Sequence, residues 1–207
     1  MNNLVLDHFT VLAPSLDAGV AYAQEALGVK IPVGGAHPVM GTHNHLLRLG
    51  DALFFEVIAI DPDAAAPSHP RWFNLDNLGD EPRLGAWVLG TDDIIAALAT
   101  APESARKARQ ITRGSLTWQI SIADDGTMLF DGAFPSFIQW PKGPHPASGM
   151  TDTGCRLKSL VIEHPEADEI NELLRGKFSD PKVKIVEAAV LGMTAEIETP
   201  NGVRYLR

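Results

Sequence analysis

One apolar pattern occurs three times along this chain, and a chain built from a repeat of that length has few ways to fold. Leu6-x-x-Phe9-x-Val11-x-x-Pro14 returns as Leu157-x-x-Leu160-x-Ile162-x-x-Pro165, with a looser copy at Leu84-x-x-Trp87-x-Leu89-x-x-Asp92. The copies lie roughly 75 residues apart, too far for a solenoid and right for a small supersecondary module. Each begins with an alternation that suits a strand and continues into an amphipathic segment. Over residues 15–27, Leu16, Val20, Ala23 and Leu27 fall at helical spacing, Asp17 suits the first turn and Gly28 the stop. A second helix starts near Asp92, with Ile94, Ile95 and Leu98 on one face. The third opens at Pro165, with His164 as a cap, Glu166, Asp168 and Glu169 near its positive end, and Ile170, Leu173 and Leu174 as its stripe. Arg175 and Gly176 end it.

Further strands follow each helix. They are expected at 43–49 and 53–60, at 116–122 and 137–140, and at 183–186, 195–198 and 203–206. Gly50-Asp51, Asp124-Asp125-Gly126 and Pro200-Asn201-Gly202 are the intervening turns. Proline-rich residues 61–82 read as a crossover and 141–154 as a linker. The common unit is therefore strand, helix, then two or three strands.

Composition removes several function classes. The formal net charge is −9, which opposes a nucleic-acid partner, since phosphate binding needs surplus Lys and Arg. No apolar run approaches the ~20 residues of a membrane span. Cys155 is the sole cysteine, so neither a disulfide framework nor a cysteine metal cage is expected. Met1-Asn2-Asn3 carries no secretory pattern, and a cytoplasmic protein is expected.

Several motifs then carry a resemblance. They are Leu6-Asp7-His8-Phe9, Gly34-Gly35-Ala36-His37-Pro38, Gly41-Thr42-His43-Asn44, Phe55-Glu56-Val57-Ile58, Pro70-Arg71-Trp72-Phe73, and Asp131-Gly132 before Phe137-Ile138-Gln139-Trp140. In this order, over residues 4–175, the chain resembles the vicinal oxygen chelate superfamily and within it the glyoxalase-like domain family. The resemblance implies an α+β fold of repeated βαβββ modules. These would form a curved, half-open mixed sheet with helices on its convex side. Residues 1–60 and 83–141 would be the paired modules of a cup, joined by 61–82. Residues 155–207 would be a third βαβββ-like module, packed on the first two or on a partner chain. An exposed edge ending at Leu206 makes a homodimer the expectation.

In the superfamily, metal ligands come from the first and last strands of paired units. Carried onto this chain, the first-strand positions are His8, Ala86 and Ser159, and the last-strand positions are Glu56, Gln139 and Arg207. The implied set is His8, Glu56 and Gln139 around one divalent Zn, Ni, Fe or Mn, with Glu56 as general base. Strand parity puts His8 on a face with Leu6 and Thr10. It also puts the Glu56 carboxylate in a run otherwise fit for burial, where it needs a partner. Thr42 and Asn44 are implied as cup-lining groups. His43 and His45 share a strand face and are candidate ligands for a metal or an anion, and His37 lies in a Gly-rich loop resembling a lid. Arg71 and Trp72 read as a clamp at the mouth, and Trp118 as a cup residue. Two functions stand open at this point. One is metal-assisted lyase, isomerase or dioxygenase-like chemistry on a small oxygenated molecule. The other is metal-free binding or sequestration of a small molecule, as in bleomycin-resistance proteins, favoured by the vacancy at Ala86 and by Trp72, Trp118 and Trp140.

Overall fold

The first apolar alternation becomes strand β1, Val5–Leu12, in the computed structural model, which describes residues 4–103 and 107–207. Ser15 caps helix α1, Leu16–Leu27, by accepting from the Ala18 N–H, and Gly28 ends it at φ 67°, a left-handed conformation that glycine adopts without steric cost. Strands β2 (Val33–His37), β3 (Thr42–Arg48) and β4 (Phe54–Ile60) complete the first unit. The second unit comprises β5 (Arg83–Gly90), α2 (Ile94–Ala99), β6 (Ala108–Arg113), β7 (Leu116–Ser121) and β8 (Ser136–Gln139). Strands β2 and β6 were outside the sequence expectation. The glycine pair Gly34-Gly35 obscures one alternation, and the polar run around Arg109 and Gln110 the other.

These eight strands form one mixed sheet in the order β2-β3-β4-β1-β5-β8-β7-β6. In each unit the first and last strands run parallel, with Thr10 opposite Glu56 and Gly90 opposite Ile138. Such pairing needs the helical crossover between them. The units join where β1 meets β5 antiparallel. The sheet curls until it is nearly closed and barrel-like, and a second apolar core that includes Ile58, Ala86, Val88, Trp118 and Ile138 fills its concave side.

The third repeat becomes β9 (Arg156–His164), α3 (Ala167–Leu174), β10 (Val183–Glu187), β11 (Gly192–Thr199) and β12 (Gly202–Leu206). His164 Nδ1 accepts from the Glu166 N–H at 3.0 Å; this closes the turn ahead of the helix and is not its cap, because the helix starts at Ala167, two residues beyond the expected Pro165, with Glu166 at its N-cap position. The strand order is β10-β9-β11-β12. The opening strand is thus interior and pairs with the second and third strands, not the last. This module shares the apolar pattern of the others but not their connectivity. It packs on its own chain. Leu160, Ile162 and Ile197 share a core with Phe9, Val11, Phe55, Trp87 and α1 residues Ala23 and Leu27. Each such large side chain contributes about 1.5–3 kcal/mol on burial. The Leu84 N–H donates to the Arg207 carbonyl at 3.0 Å and the Leu4 N–H to the Lys177 carbonyl at 3.1 Å. The edge strand β12 keeps Val203 and Tyr205 exposed, at 46% and 50%, while Leu206 is buried. Among the described residues no helix is long and apolar enough to cross a membrane.

Candidate functional site

A bulge in β1 sets the floor of the cup. The register with β5 slips between Leu6 and His8. Leu6 therefore joins Phe9 and Val11 in the convex core, and His8 and Thr10 turn inward. The expected shared face of Leu6 and His8 is thereby corrected, because counting by twos assumes an unbroken ladder. Asp7 sits at the bulge with three partners. Its Oδ1 lies 2.6 Å from His8 Nδ1, and its Oδ2 accepts from Trp140 Nε1 at 2.7 Å and lies 3.0 Å from His145 Nε2. Burial pushes the Asp7 carboxyl up, but hydrogen bonds and charge from His145 and His8 overcome it and hold the group at about 2. A carboxylate only accepts, so the His8 proton sits on Nδ1 and Nε2 is turned to Glu56 Oε2, 3.9 Å away. The His8 ring stacks on Phe54 with centroids 4.4 Å apart.

Glu56 is buried and held from two sides. Thr10 Oγ1 donates to its Oε2 at 3.2 Å and Asn44 Nδ2 to its Oε1 at 2.6 Å. The orientation of Asn44 depends on the glycine pair. The Gly35 N–H donates to Asn44 Oδ1 at 2.8 Å, and a Cβ at Gly34 would fall 2.2 Å from that oxygen. The run from Gly34 to Pro38 is thus mostly strand β2 and not a lid loop; its glycines admit the carboxamide that holds Glu56. His37 is buried in the same wall. Its Nδ1 lies 3.1 Å from Thr42 Oγ1, and its Nε2 lies 3.5 Å from both Asn44 Nδ2 and Arg113 Nη1. Burial, with positive charge at Arg113, His43 and His8, pushes the His37 imidazole down to about 3. It is neutral at physiological pH and acts as an acceptor at Nε2.

A cavity of ≈ 40 Å³ gathers His8, His37, Asn44, Glu56, Trp72 and Trp118 from the expected set. Thr42 stands behind them, bonded to His37. Trp140, the third expected tryptophan, lines it as well, and so do Arg113, Phe54 and Met150, which were not anticipated. Arg113 escaped notice because β6 did; the signal available was its two-residue spacing from Ile111, which faces the cup.

Three expected residues lie elsewhere. Gln139 points away from the cup. Ile138 takes the inward position on β8, Phe137 enters the convex core, and Gln139 follows Phe137 outward. There its Oε1 accepts from the Ile94 N–H at 2.8 Å, at the start of α2. His43 is corrected on the same ground. Thr42 and Asn44 hold the inward side of β3, so His43 and His45 face outward, with His45 Nδ1 2.7 Å from the Ile31 carbonyl. Arg71 is not a clamp at the mouth: it pairs with Asp76 at 2.5 Å and donates to the Gly41 carbonyl at 3.3 Å. Trp72 and Phe73 alone reach the cavity from that segment. Conversely, the expected linker 141–154 contributes wall. Pro146 and Met150 line the cavity, and Arg48 Nη1 donates to the Met150 carbonyl at 3.0 Å.

The donor set does not fit the metal implied by the resemblance. His8 and Glu56 meet, but Gln139 is turned out and Ala86 and Ile138 fill the facing positions. Both Glu56 oxygens already accept hydrogen bonds. Among the described residues no group of three His, Cys, Asp or Glu side chains is placed to hold an ion, whereas a protein metal site takes three or more donors.

Comparison with known proteins places the chain. Residues 6–178 match the family model described as Glyoxalase-like domain. No curated protein matches. Similar solved structures include a methylmalonyl-CoA epimerase in complex with methylmalonyl-CoA and NH4+, 17% identical, TM-score 0.44, covering 70% of this chain and 99% of that one. The methylmalonyl-CoA epimerase from Mycobacterium tuberculosis is 15% identical, TM-score 0.41, covering 67% and 88%. A xylose isomerase-like TIM barrel/4-hydroxyphenylpyruvate dioxygenase fusion protein is 15% identical, TM-score 0.43, covering 95% of this chain and 30% of that one.

Proposed function

The chain belongs to the glyoxalase-like domain family, and from that premise we propose that its cup takes up a small oxygenated organic molecule and exchanges a proton with it through Glu56 and His8. The observation that carries this reading is the pairing at the cup floor. A buried carboxylate, fixed by Asn44 and Thr10, stands 3.9 Å from an imidazole nitrogen whose far side is held by Asp7. Two proton-handling atoms at that separation reach the same ligand atom, and an acid–base pair so placed contributes about 10²–10⁴ in rate. Glu56 takes the proton from the ligand as a carboxylate and, as the carboxylic acid so formed, returns it directly or by way of the open Nε2 of His8, 3.9 Å from its Oε2. The apolar wall of Trp118, Trp140 and Phe54 excludes water and strengthens each charge interaction inside.

Glu56→Gln keeps the shape and the Thr10 contact but removes the base. Incubated in D₂O with a panel of neutral ketones, esters and 2-hydroxy or 2-oxo acids, wild-type protein should place deuterium on a bound compound, read by NMR. The variant should bind it with similar tryptophan quenching and exchange about 100-fold slower. Exchange at the wild-type rate in the variant, or binding that vanishes with EDTA and returns with Zn, Ni or Mn, would overturn the reading. Binding without exchange in the wild type would assign the cup to sequestration, which its apolar half favours.

A further inference from the structure

We propose that the ligand of the cup is a small monocarboxylic acid with an apolar body, its carboxylate held by Arg113. The proposal deepens the acid–base reading above and rests on it for the location of the ligand.

Arg113 ends β6 and reaches across the gap where the sheet nearly closes on itself. Its Nη1 lies 3.5 Å from His37 Nε2 on β2. Its guanidinium passes over Gly35, where an added Cβ would find Arg113 atoms at 3.4 to 3.8 Å. That is ordinary contact distance, so Arg113 packs against the β2 backbone at Gly35, whereas at Gly34 only glycine admits Asn44.

That cation has no anion. Arg48, Arg71, Arg109, Arg156 and Arg175 each pair with an Asp or Glu. No carboxylate of the described residues lies within 4.0 Å of Arg113. The acid in the same cavity, Glu56, is bonded to Asn44 and Thr10, with His37 and Asn44 standing between it and Arg113. A guanidinium presents a planar fork of donors that matches a carboxylate in two parallel bonds, so an unpaired one facing a binding cavity is a receptor for an oxyanion.

Charge and size narrow the class. Arg113 is the sole permanent cation lining this cavity. The neighbouring His37 is neutral, and Glu56 adds a negative charge. One carboxylate meets the single charge of Arg113, whereas a dianion such as a phosphate monoester would bring a second negative charge, beside that of Glu56, with no further cation to meet it. The cavity is only ≈ 40 Å³, and the wall opposite the polar residues is Trp118, Trp140, Ile138 and Phe54. A short acid with an aliphatic body satisfies both, since a benzene-sized body takes about 150 Å³. Bound by its carboxylate at Arg113, it extends its neighbouring carbon toward Glu56 and His8.

The test compares each acid with its uncharged isostere: acetate with acetamide, lactate with lactamide, propionate with propionamide. Affinities are read by calorimetry and tryptophan quenching for wild type, Arg113→Gln and Arg113→Lys. Wild type should prefer acids by about tenfold or more, the scale of a hydrogen bond to a charged group. Arg113→Gln should erase the preference and keep the amide affinity, which also shows an intact cup. Arg113→Lys should retain part of it, because a point charge replaces the fork. Equal affinity for acids and amides in wild type, a preference that survives Arg113→Gln, or no acid binding at about 10 mM each overturns the proposal. Amides that bind and undergo Glu56-dependent exchange as well as acids would sink the carboxylate assignment and spare the acid–base reading. Preferred acids that bind without any Glu56-dependent exchange would do the reverse.

Discussion

The polar cup-facing positions His8, Thr10, Asn44 and Glu56 come from the first unit, beside apolar Phe54 and Ile58, and the second unit presents Ala86, Val88, Trp118, Ile120 and Ile138. The two units share a connectivity and pair through their first strands, yet one supplies a hydrogen-bonded polar cluster and the other a dry wall. Repeating the backbone has not repeated the chemistry. A site drawing donors equally from both units is not what these residues build. Instead the apolar unit lowers the dielectric around the polar one, which raises the value of every satisfied contact there and the cost of every unsatisfied one. Arg113, at the far edge of the second unit, is its polar contribution to the cavity.

The contrast is broken most directly by Ile138→Glu, which places a carboxylate in the dry wall. Without a partner there it should cost about 3–5 kcal/mol in urea unfolding at neutral pH. A loss below about 1 kcal/mol would show that polar partners reach that wall after all. Next comes His37, on the seam between the two edges of the sheet. Its imidazole is depressed from 6.5 to about 3, so the unfolded chain takes up the proton while the folded one does not. Stability therefore falls as pH drops from 6.5 toward 3, by roughly 1 kcal/mol per pH unit. His37→Gln should flatten that slope, measured by thermal or urea unfolding across the window; an unchanged slope would mean the imidazole is not a buried neutral acceptor. The smallest effect belongs to Gln139→Ala. It removes the hydrogen bond to the Ile94 N–H at a cost of about 1 kcal/mol and should leave ligand affinity unchanged. A clear fall in affinity would return Gln139 to the cup.

Much of the architecture was legible because burial follows period. The helix starting near Ser15, the stop at Gly28 and the strand through Glu56 are local features, written in neighbouring residues. The failures share a different cause: they depend on parity or on distant chain. A bulge at Asp7 is invisible to an alternation count, so Leu6 was assigned to the wrong face. At Gln139 the count began one residue late, and the apolar Ile138, ordinary in a cup wall, gave no reason to prefer it. Gly34 looked like part of a loop because its purpose, admitting Asn44, is fulfilled by a residue about 10 positions away in a sheet not yet folded. The third repeat shows that the same apolar spacing serves two connectivities, since an interior strand and a paired end strand bury the same faces.

The joint between the two units is a single strand pair, β1 with β5, and such a joint would be the natural place for the halves to part. The last residue lies behind it. The carbonyl of Arg207 accepts from the Leu84 N–H on β5 and from the Tyr22 hydroxyl on α1, one donor from each half. The C-terminal sheet is thus a rivet across the joint. Exchange of halves between molecules would require this rivet to be drawn first. Both halves are thus held from the convex side, where Leu84 belongs to the convex core and Tyr22 packs against it.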